Sequence, residues 1–362
     1  MAQNKSFKGI DANQLSGADA DTVDLAGVNH LVDGHINDRT NKTQSQVVAG
    51  TAGAMSVEHW QQQHREFLAA ATSDNTRRTY RSGIRHYLEW GGVLPADEAM
   101  VLRYLLTFSQ SLNPRTLALR LTALSQWHSQ QSFPDPAATP TVRKTLLGIQ
   151  RIHGQPTRKA KALPMGDMVL IAAALQRLET LKARRDNALL QIAYFGAYRR
   201  SEVVRLQVEQ IAWEPEGVLI TLPRSKTDQK GEGITKAIPF GDQACCPPSA
   251  LRAWLSAAEI SSGPVFRGIT KWGKVGGEAL HEASLNGILT TAAGLAGLPY
   301  VPQLSSHSLR RGLATSAYRA GARFQDIKRQ GGWRHDGTVQ GYIEEAGRFE
   351  ENAAGHLLRR RE

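Results

Sequence analysis

From Val57 onward the apolar residues recur at helical rather than strand spacing, and this limits what the chain can become. In "VEHWQQQHREFLAA", Val57, Trp60, His64, Phe67 and Leu68 fall near one helical face. In "SDNTRRTYRSGIRHYLEW", Tyr80, Ile84, Tyr87 and Leu88 follow at i, i+4, i+7 and i+8, behind a choice of N-caps in Ser73, Asp74 or Asn75. Beside that stripe Arg78, Arg81 and Arg85 form a basic edge, with Arg77 adjoining. "NPRTLALRLTALSQWH" repeats the arrangement with Arg115 and Arg120, and "TVRKTLLGIQRIHG" with Arg143, Lys144 and Arg151. One basic edge is an ordinary solvated face. Several on successive helices, with few acids among them, suit a phosphate backbone. Residues 57–152 are therefore expected to form an all-helical DNA-binding module, followed by a polar, basic linker over 153–164.

Charge supports a polyanionic partner. The 362 residues carry a formal net charge of +11. Residues 1–55 hold six Asp against four Lys/Arg and a single aromatic, Phe7; they are expected to be a disordered N-terminal extension. "MAQNKSFKGI" lacks the apolar core of a signal peptide, and no segment approaches membrane-spanning length. The only two cysteines, Cys245 and Cys246, are adjacent, which suits neither a relaxed disulfide nor a zinc site. A cytoplasmic protein without metal or other cofactor is expected.

The second half supplies candidate chemistry. "RRDNALLQIAYFGAYRRSEVVRLQVEQI" reads as a buried helix, a glycine break and a second helix starting near Tyr198. Arg199 and Arg200 open that second helix, with Glu202 placed to orient the Arg199 guanidinium; a surface helix with a salt bridge would read the same way. Two β-prone runs, 218–223 and 234–240, flank a polar loop and predict a hairpin with Lys226 where its first strand ends. Lys230 and Lys236 read as soluble guards of an edge strand. "SSHSLRRGLATSAY" predicts a helix capped by Ser305 or Ser306, presenting His307 and Arg310 at i and i+3 over a buried side of Leu309, Leu313 and Ala317. "KWGKVGG", from Lys271, reads as a basic glycine-rich loop that either touches DNA or is plain surface. "GGWRHDGTVQGYIE" then brings Trp333 and, nine residues later, Tyr342; the glycines are expected to let the backbone turn into a site.

Arg199, Lys226, His307, Arg310, Trp333 and Tyr342 together suit attack on a phosphodiester. Guanidiniums clamp nonbridging oxygens in a fork that lysine does not reproduce. An imidazole accepts a proton near neutral pH, and an ammonium protonates a departing 5′ oxygen. A phenol becomes a nucleophile where cations stabilise its phenolate. The blocks "AYRRSEVVRL", "RSKT", "HSLRRGLATSAY" and "GGW" with its downstream tyrosine resemble, in order, those of the tyrosine recombinase (phage integrase) family. Trp333, where most members have histidine, resembles the Cre-like branch. The resemblance implies Arg199 and Arg310 as phosphate clamps, Lys226 as general acid and His307 as general base. It further implies Trp333 as an indole N–H donor to the phosphate, Tyr342 as nucleophile and Glu202 as supporting carboxylate.

The fold so implied is mainly α: an all-α core-binding domain and an α-rich catalytic domain over 165–346 with a small β-sheet or hairpin, in a C-shaped clamp around DNA. The partners implied are double-stranded DNA with an inverted-repeat target and three further copies of the chain on two duplexes. The C-terminal segment 347–362, with Phe349, Ala353, Leu357 and Leu358 on one helical face, would dock into a neighbouring protomer. A type IB topoisomerase-like nicking enzyme and a non-cleaving DNA-binding regulator of the same fold stay open at this stage.

Overall fold

The computed structural model describes residues 57–156, 159–223, 233–241, 245–348 and 353–358. The extension expected over 1–55, and Lys226, Lys230 and Phe349, lie outside the described residues. The chain divides into two compact units, 1–157 and 158–362.

The described part of the first unit is all helical: α1 (Val57–Ala71), α2 (Asp74–Glu89), α3 (Glu98–Phe108), α4 (Pro114–Gln130) and α5 (Pro140–His153). Local chemistry sets these boundaries. Ser73 is the residue that caps α2, its Oγ accepting the Thr76 N–H at 3.3 Å. Asp97 does the same for α3, accepting from Met100 at 2.7 Å, and prolines stand in the first turns of α4 and α5. The predicted α2 stripe is buried at Ile84 and Tyr87, packing with Tyr104, Leu105, Leu117, Leu124 and Trp127. His128 is wholly buried but satisfied: Nε2 accepts the Ala96 N–H at 2.9 Å, so Nδ1 donates to the Leu124 carbonyl at 2.8 Å. The α1 stripe behaves differently from expectation. Trp60 and Phe67 are 57% and 66% exposed, because nothing among the described residues covers that face.

The described part of the second unit is α-rich with two small sheets. Its helices are α6 (Met165–Gln176), α7 (Leu181–Phe195), α8 (Arg200–Val204), α9 (Pro247–Ala257), α10 (Ser284–Leu295), α11 (Ser306–Arg319), α12 (Phe324–Gly331), α13 (Asp336–Ala346) and α14 (Ala353–Leu358). β1 (Ile211–Glu214), β2 (Gly217–Leu222) and β3 (Ile234–Pro239) form an antiparallel sheet in sequence order, with Ile220 opposite Lys236. "KWGK" is not a loop in isolation but the turn of a second hairpin, β4 (Arg267–Ile269) to β5 (Val275–Ala279). The mainly α architecture with a small sheet is the one expected.

α7 is the central element, buried along nearly its whole length and packed by α6, α9 and α11. Trp254 of α9 is fully buried and donates its indole N–H to the Val265 carbonyl at 2.8 Å. Residues 160–163, inside the expected linker, are tied to this unit: the Lys161 N–H donates to Gln303 and the Leu163 N–H to Ser308, at 3.1 and 3.0 Å. α11 runs under that segment so closely that a Cβ on Gly312 would lie 2.1 Å from the Leu163 carbonyl oxygen. Gly→Ala inside a helix ordinarily stabilises by about 0.5–1 kcal/mol. Here the sign should invert: Gly312→Ala is expected to destabilise by about 1–3 kcal/mol, as overpacking does. Denaturant unfolding of the two proteins measures it, and an unchanged or raised midpoint would show that the 160–163 segment yields freely.

Candidate active site

Five of the sequence-predicted residues come from four separate stretches of chain. Arg199 is the residue immediately before α8, His307 and Arg310 sit in the first two turns of α11, Trp333 follows α12, and Tyr342 lies midway along α13. Ser305 caps α11 through a reciprocal box with Ser308, which fixes the helix start and hence the faces on which His307 and Arg310 stand.

The pair Arg199–Arg200 is resolved by direction. Arg199 points inward, its Nη1 donating to Glu202 Oε1 at 2.6 Å while its backbone N–H donates to Oε2 at 2.8 Å. Arg200 turns instead toward Glu282, at 3.7 Å. Burial alone would raise the Glu202 pKa, but the two hydrogen bonds from Arg199, its charge and that of Lys236 hold it below the usual carboxylate range. Glu202 is thus an ionised brace for Arg199.

Arg310 and Arg311, adjacent in sequence, are both almost fully buried and serve different neighbours. Arg310 donates through Nη1 to the Ala197 carbonyl and lays its guanidinium on the Trp333 indole, 4.3 Å from the ring centroid. Its Nη2 has no hydrogen-bond partner among the described residues. Burial and the nearby Arg199 pull the Arg310 pKa down, yet a guanidinium stays protonated across the neutral range. Arg311 faces α13: it donates to Glu345 and to the Ala160 carbonyl, and sits 5.5 Å from the Tyr342 ring centroid.

Trp333 and Tyr342 meet edge to face, their centroids 5.7 Å apart at 64°. The two glycines before Trp333 have separate jobs. Gly332 takes a left-handed conformation, φ +62°, that ends α12. Gly331 leaves room for the indole: a Cβ there would lie 1.8 Å from the ring. His307 is exposed at the rim of a cleft of about 1080 Å³ that Tyr342, Arg311 and Thr338 also line. Its partial burial, with Arg310, Arg200, Arg199 and Arg311 around it, lowers its pKa and keeps the imidazole neutral, able to accept a proton.

Lys236 is not a surface guard. It is 3% exposed and reaches into this cluster, its Nζ donating to the Gly196 carbonyl at 2.5 Å and lying 4.4 Å from the Tyr198 ring centroid. The signal was present in "ITKAIP", where Ile234, Lys236 and Ile238 alternate onto one strand face and Ile238 is core.

In the first unit, the predicted basic residues are not equivalent. Arg78 and Arg120 flank one groove of about 340 Å³ between α2 and α4, with Asn75, Thr79, Ser82 and Thr116 beside them. Arg120 is also held internally, its Nη1 lying 2.8 Å from the His86 ring nitrogens and 3.3 Å from the Tyr104 hydroxyl. Arg77 pairs with Asp74 at 2.5 Å. Arg85, Arg115, Arg143 and Lys144 are exposed, and Arg81 is half-buried.

A buried, incompletely satisfied guanidinium beside a tyrosine and a neutral histidine is a site for an anionic ester. Residues 163–348 match the model of the phage integrase family, and the chain belongs to that family. It is 34% identical over 299 residues to an integrase/recombinase XerD homolog of Selenomonas ruminantium, covering 80% of this chain and 87% of the relative. Among solved structures, its fold is similar to XerH site-specific recombinase bound to a palindromic difH substrate (TM-score 0.59, 18% identity, 82% of this chain and 84% of that one). It is also similar to a lambda integrase tetramer bound to a Holliday junction (TM-score 0.52, 14% identity, 82% and 79%).

The Arg311–Glu345 pair ties the Tyr342 helix to α11. Hydrogen bonds to charged groups contribute about 1.5–3 kcal/mol, and Glu345 is one-third exposed on its side chain, which discounts this. Glu345→Gln is therefore expected to lower stability by about 1 kcal/mol and to slow strand cleavage more than DNA binding. Thermal unfolding with parallel gel-shift and cleavage assays tests both; equal losses of binding and cleavage would contradict the tie.

Proposed function

We propose that this chain cleaves and rejoins DNA at specific sites through a 3′-phosphotyrosine intermediate formed by Tyr342. The observation that carries the reading is the convergence on Arg310: its unpartnered buried Nη2 stands in one cluster with Arg199, His307, Trp333 and Tyr342. An unpaired buried N–H costs about 1–3 kcal/mol, and a nonbridging phosphate oxygen supplies the missing acceptor. As a member of the phage integrase family with a XerD-like relative, the chain is a site-specific DNA recombinase.

The chemistry follows from the side chains. The Tyr342 hydroxyl attacks the scissile phosphorus, giving up its proton to neutral His307 as the O–P bond forms. Arg199, braced by Glu202, and Arg310, braced by Ala197 and Trp333, hold the charge on the nonbridging oxygens. The bond to the 5′ oxygen breaks, and that oxygen takes a proton from Lys226, which lies outside the described residues. Trp333 has only a donor to offer, so it holds phosphate and moves no proton. One phosphodiester replaces another, and a 5′ hydroxyl from a second strand can reverse the step.

XerH binds a palindromic substrate and lambda integrase assembles as a tetramer on a Holliday junction. We assign this chain the same kind of partners: an inverted-repeat duplex, and three further copies on two duplexes. The basic groove of Arg78 and Arg120 and the exposed Arg85, Arg115, Arg143 and Lys144 support the first. Exposed apolar residues at both ends of the described chain, Trp60 and Phe67 in α1 and Leu357 and Leu358 in α14 (87% and 82% exposed), support the second. No helix among the described residues is long and apolar enough to cross a membrane. A protein acting on DNA belongs in the cytoplasm, where its free Cys245 and Cys246 stay reduced.

Tyr342→Phe should bind the site normally and form no protease-sensitive covalent adduct on a nicked suicide substrate; an adduct in that variant would place the nucleophile elsewhere. Truncation after residue 346, which removes Leu357 and Leu358, should leave single-site binding nearly intact while abolishing synapsis of two duplexes. Native gels with one and two sites read this out, and a truncated protein that still recombines would exclude docking through the C-terminal segment.

A further inference from the structure

The C-terminus of α7 is capped in an unusual way. A helix leaves its last carbonyls without intrahelical partners, and here three successive carbonyls, the last of α7 and the two that follow it, are taken by side chains from three different elements. Phe195 O accepts Gln330 Nε2 of α12 at 2.8 Å, Gly196 O accepts Lys236 Nζ of β3 at 2.5 Å, and Ala197 O accepts Arg310 Nη1 of α11. Gln330 Nε2 also reaches the carbonyl of Ala237, next to Lys236, at 3.1 Å. The turn itself is demanding: Ala197 has φ +46°, a conformation that residues with a Cβ adopt only when held. Two residues on, the same turn delivers Arg199.

Stability alone does not account for a lysine at position 236. A buried ammonium costs several kcal/mol that a carbonyl and a ring face offset only in part, and a Met of similar length would fill the space without that cost. We infer that Lys236 is a positioning residue of the active centre: it fixes the Phe195–Ala197 turn from which both phosphate-binding guanidiniums are aimed, and places a titratable cation behind Arg310. This rests on the proposed cleavage reaction and adds a residue to it.

The groups facing Lys236 are Arg310 of α11, Arg199 and Glu202 at the start of α8, and the Tyr198 ring. Burial first, then Arg310 and Arg199, lower its pKa to about 7 against the opposing pull of Glu202. A scissile phosphate seated on Arg310 adds negative charge, favours the ammonium and draws a proton onto Lys236. In the phosphate-free site the ammonium is present below about pH 7 and lost above it. Cleavage, which occurs with phosphate seated, should therefore decline only as pH rises above that range, for a reason separate from the His307 base.

Single-turnover cleavage of a suicide substrate by the full-length protein tests this, with Lys236→Met and Lys236→Gln compared across pH 6–9. Both should bind DNA like the parent and melt cooperatively. The Met variant should cleave about 10–100-fold more slowly, the cost of a small misplacement of catalytic groups. The Gln variant, which keeps an N–H donor, should cleave faster than Met, and neither should keep the decline above pH 7. A 5′-bridging sulfur substrate, which needs no proton on its leaving group, should rescue Lys226→Ala and leave both Lys236 variants slow. Rescue of the Lys236 variants would make Lys236 the proton donor and overturn the positioning role. Parental rates with the parental pH profile in both variants would also overturn it. A parent protein that forms no tyrosyl adduct at all would instead sink the cleavage reading itself.

Discussion

The site depends on burying the charge of Arg310. Removing a guanidinium from water costs several kcal/mol unless its N–H groups and its charge are met. The fold meets part of the demand with the Ala197 carbonyl and the indole face of Trp333, and leaves Nη2 unmet. Each of these partners in turn needs an unusual local structure. Ala197 is offered by a left-handed turn, and Trp333 folds back only because residue 331 lacks a side chain. Tyr342 then packs on the same indole, so the candidate nucleophile and the phosphate-binding group are registered against one rigid ring. Positions as far apart as 197 and 342 are thus coupled through a single cation.

Much of this was legible in the chain. The stripe of Ile84 and Tyr87, the cap at Ser73, the buried run from Leu189 to Ala193 and the helix opened by Ser305 all follow local rules of periodicity and capping, and the structure keeps them. The chemistry-bearing residues were legible as types at recognisable spacings. Direction was the harder quantity. Arg310 and Arg311 differ by about 100° around a helix, Arg199 stands just before the helix that Arg200 opens, and the roles within each pair separate only when Glu202, Glu282, Glu345 and the Ala160 carbonyl are in place. Lys236 was misread because residue type outweighed period: a lysine on a strand suggests solvent, whereas alternation with Ile234 and Ile238 placed it inside. The β4–β5 hairpin was missed because glycines and lysines carry little strand propensity, and tertiary pairing supplies what propensity lacks.

Arg310 and Arg311 also divide the labour of the reaction. Arg310 faces the place where, in the proposed reaction, phosphate charge develops. The other holds α13 through Glu345, one helical turn beyond Tyr342, and holds the 160–163 segment through Ala160. A shift in that segment would therefore bear on α13 through Arg311. Lys236 and Gln330 act on the other side, fixing the turn that aims Arg310 and Arg199. The proposed clamp and nucleophile accordingly have different principal supports, Lys236 and Gln330 for the one and Arg311 for the other, joined through α11 and Trp333. Such an arrangement couples tyrosine placement to α11 while the phosphate site of the proposed reaction stays preorganised.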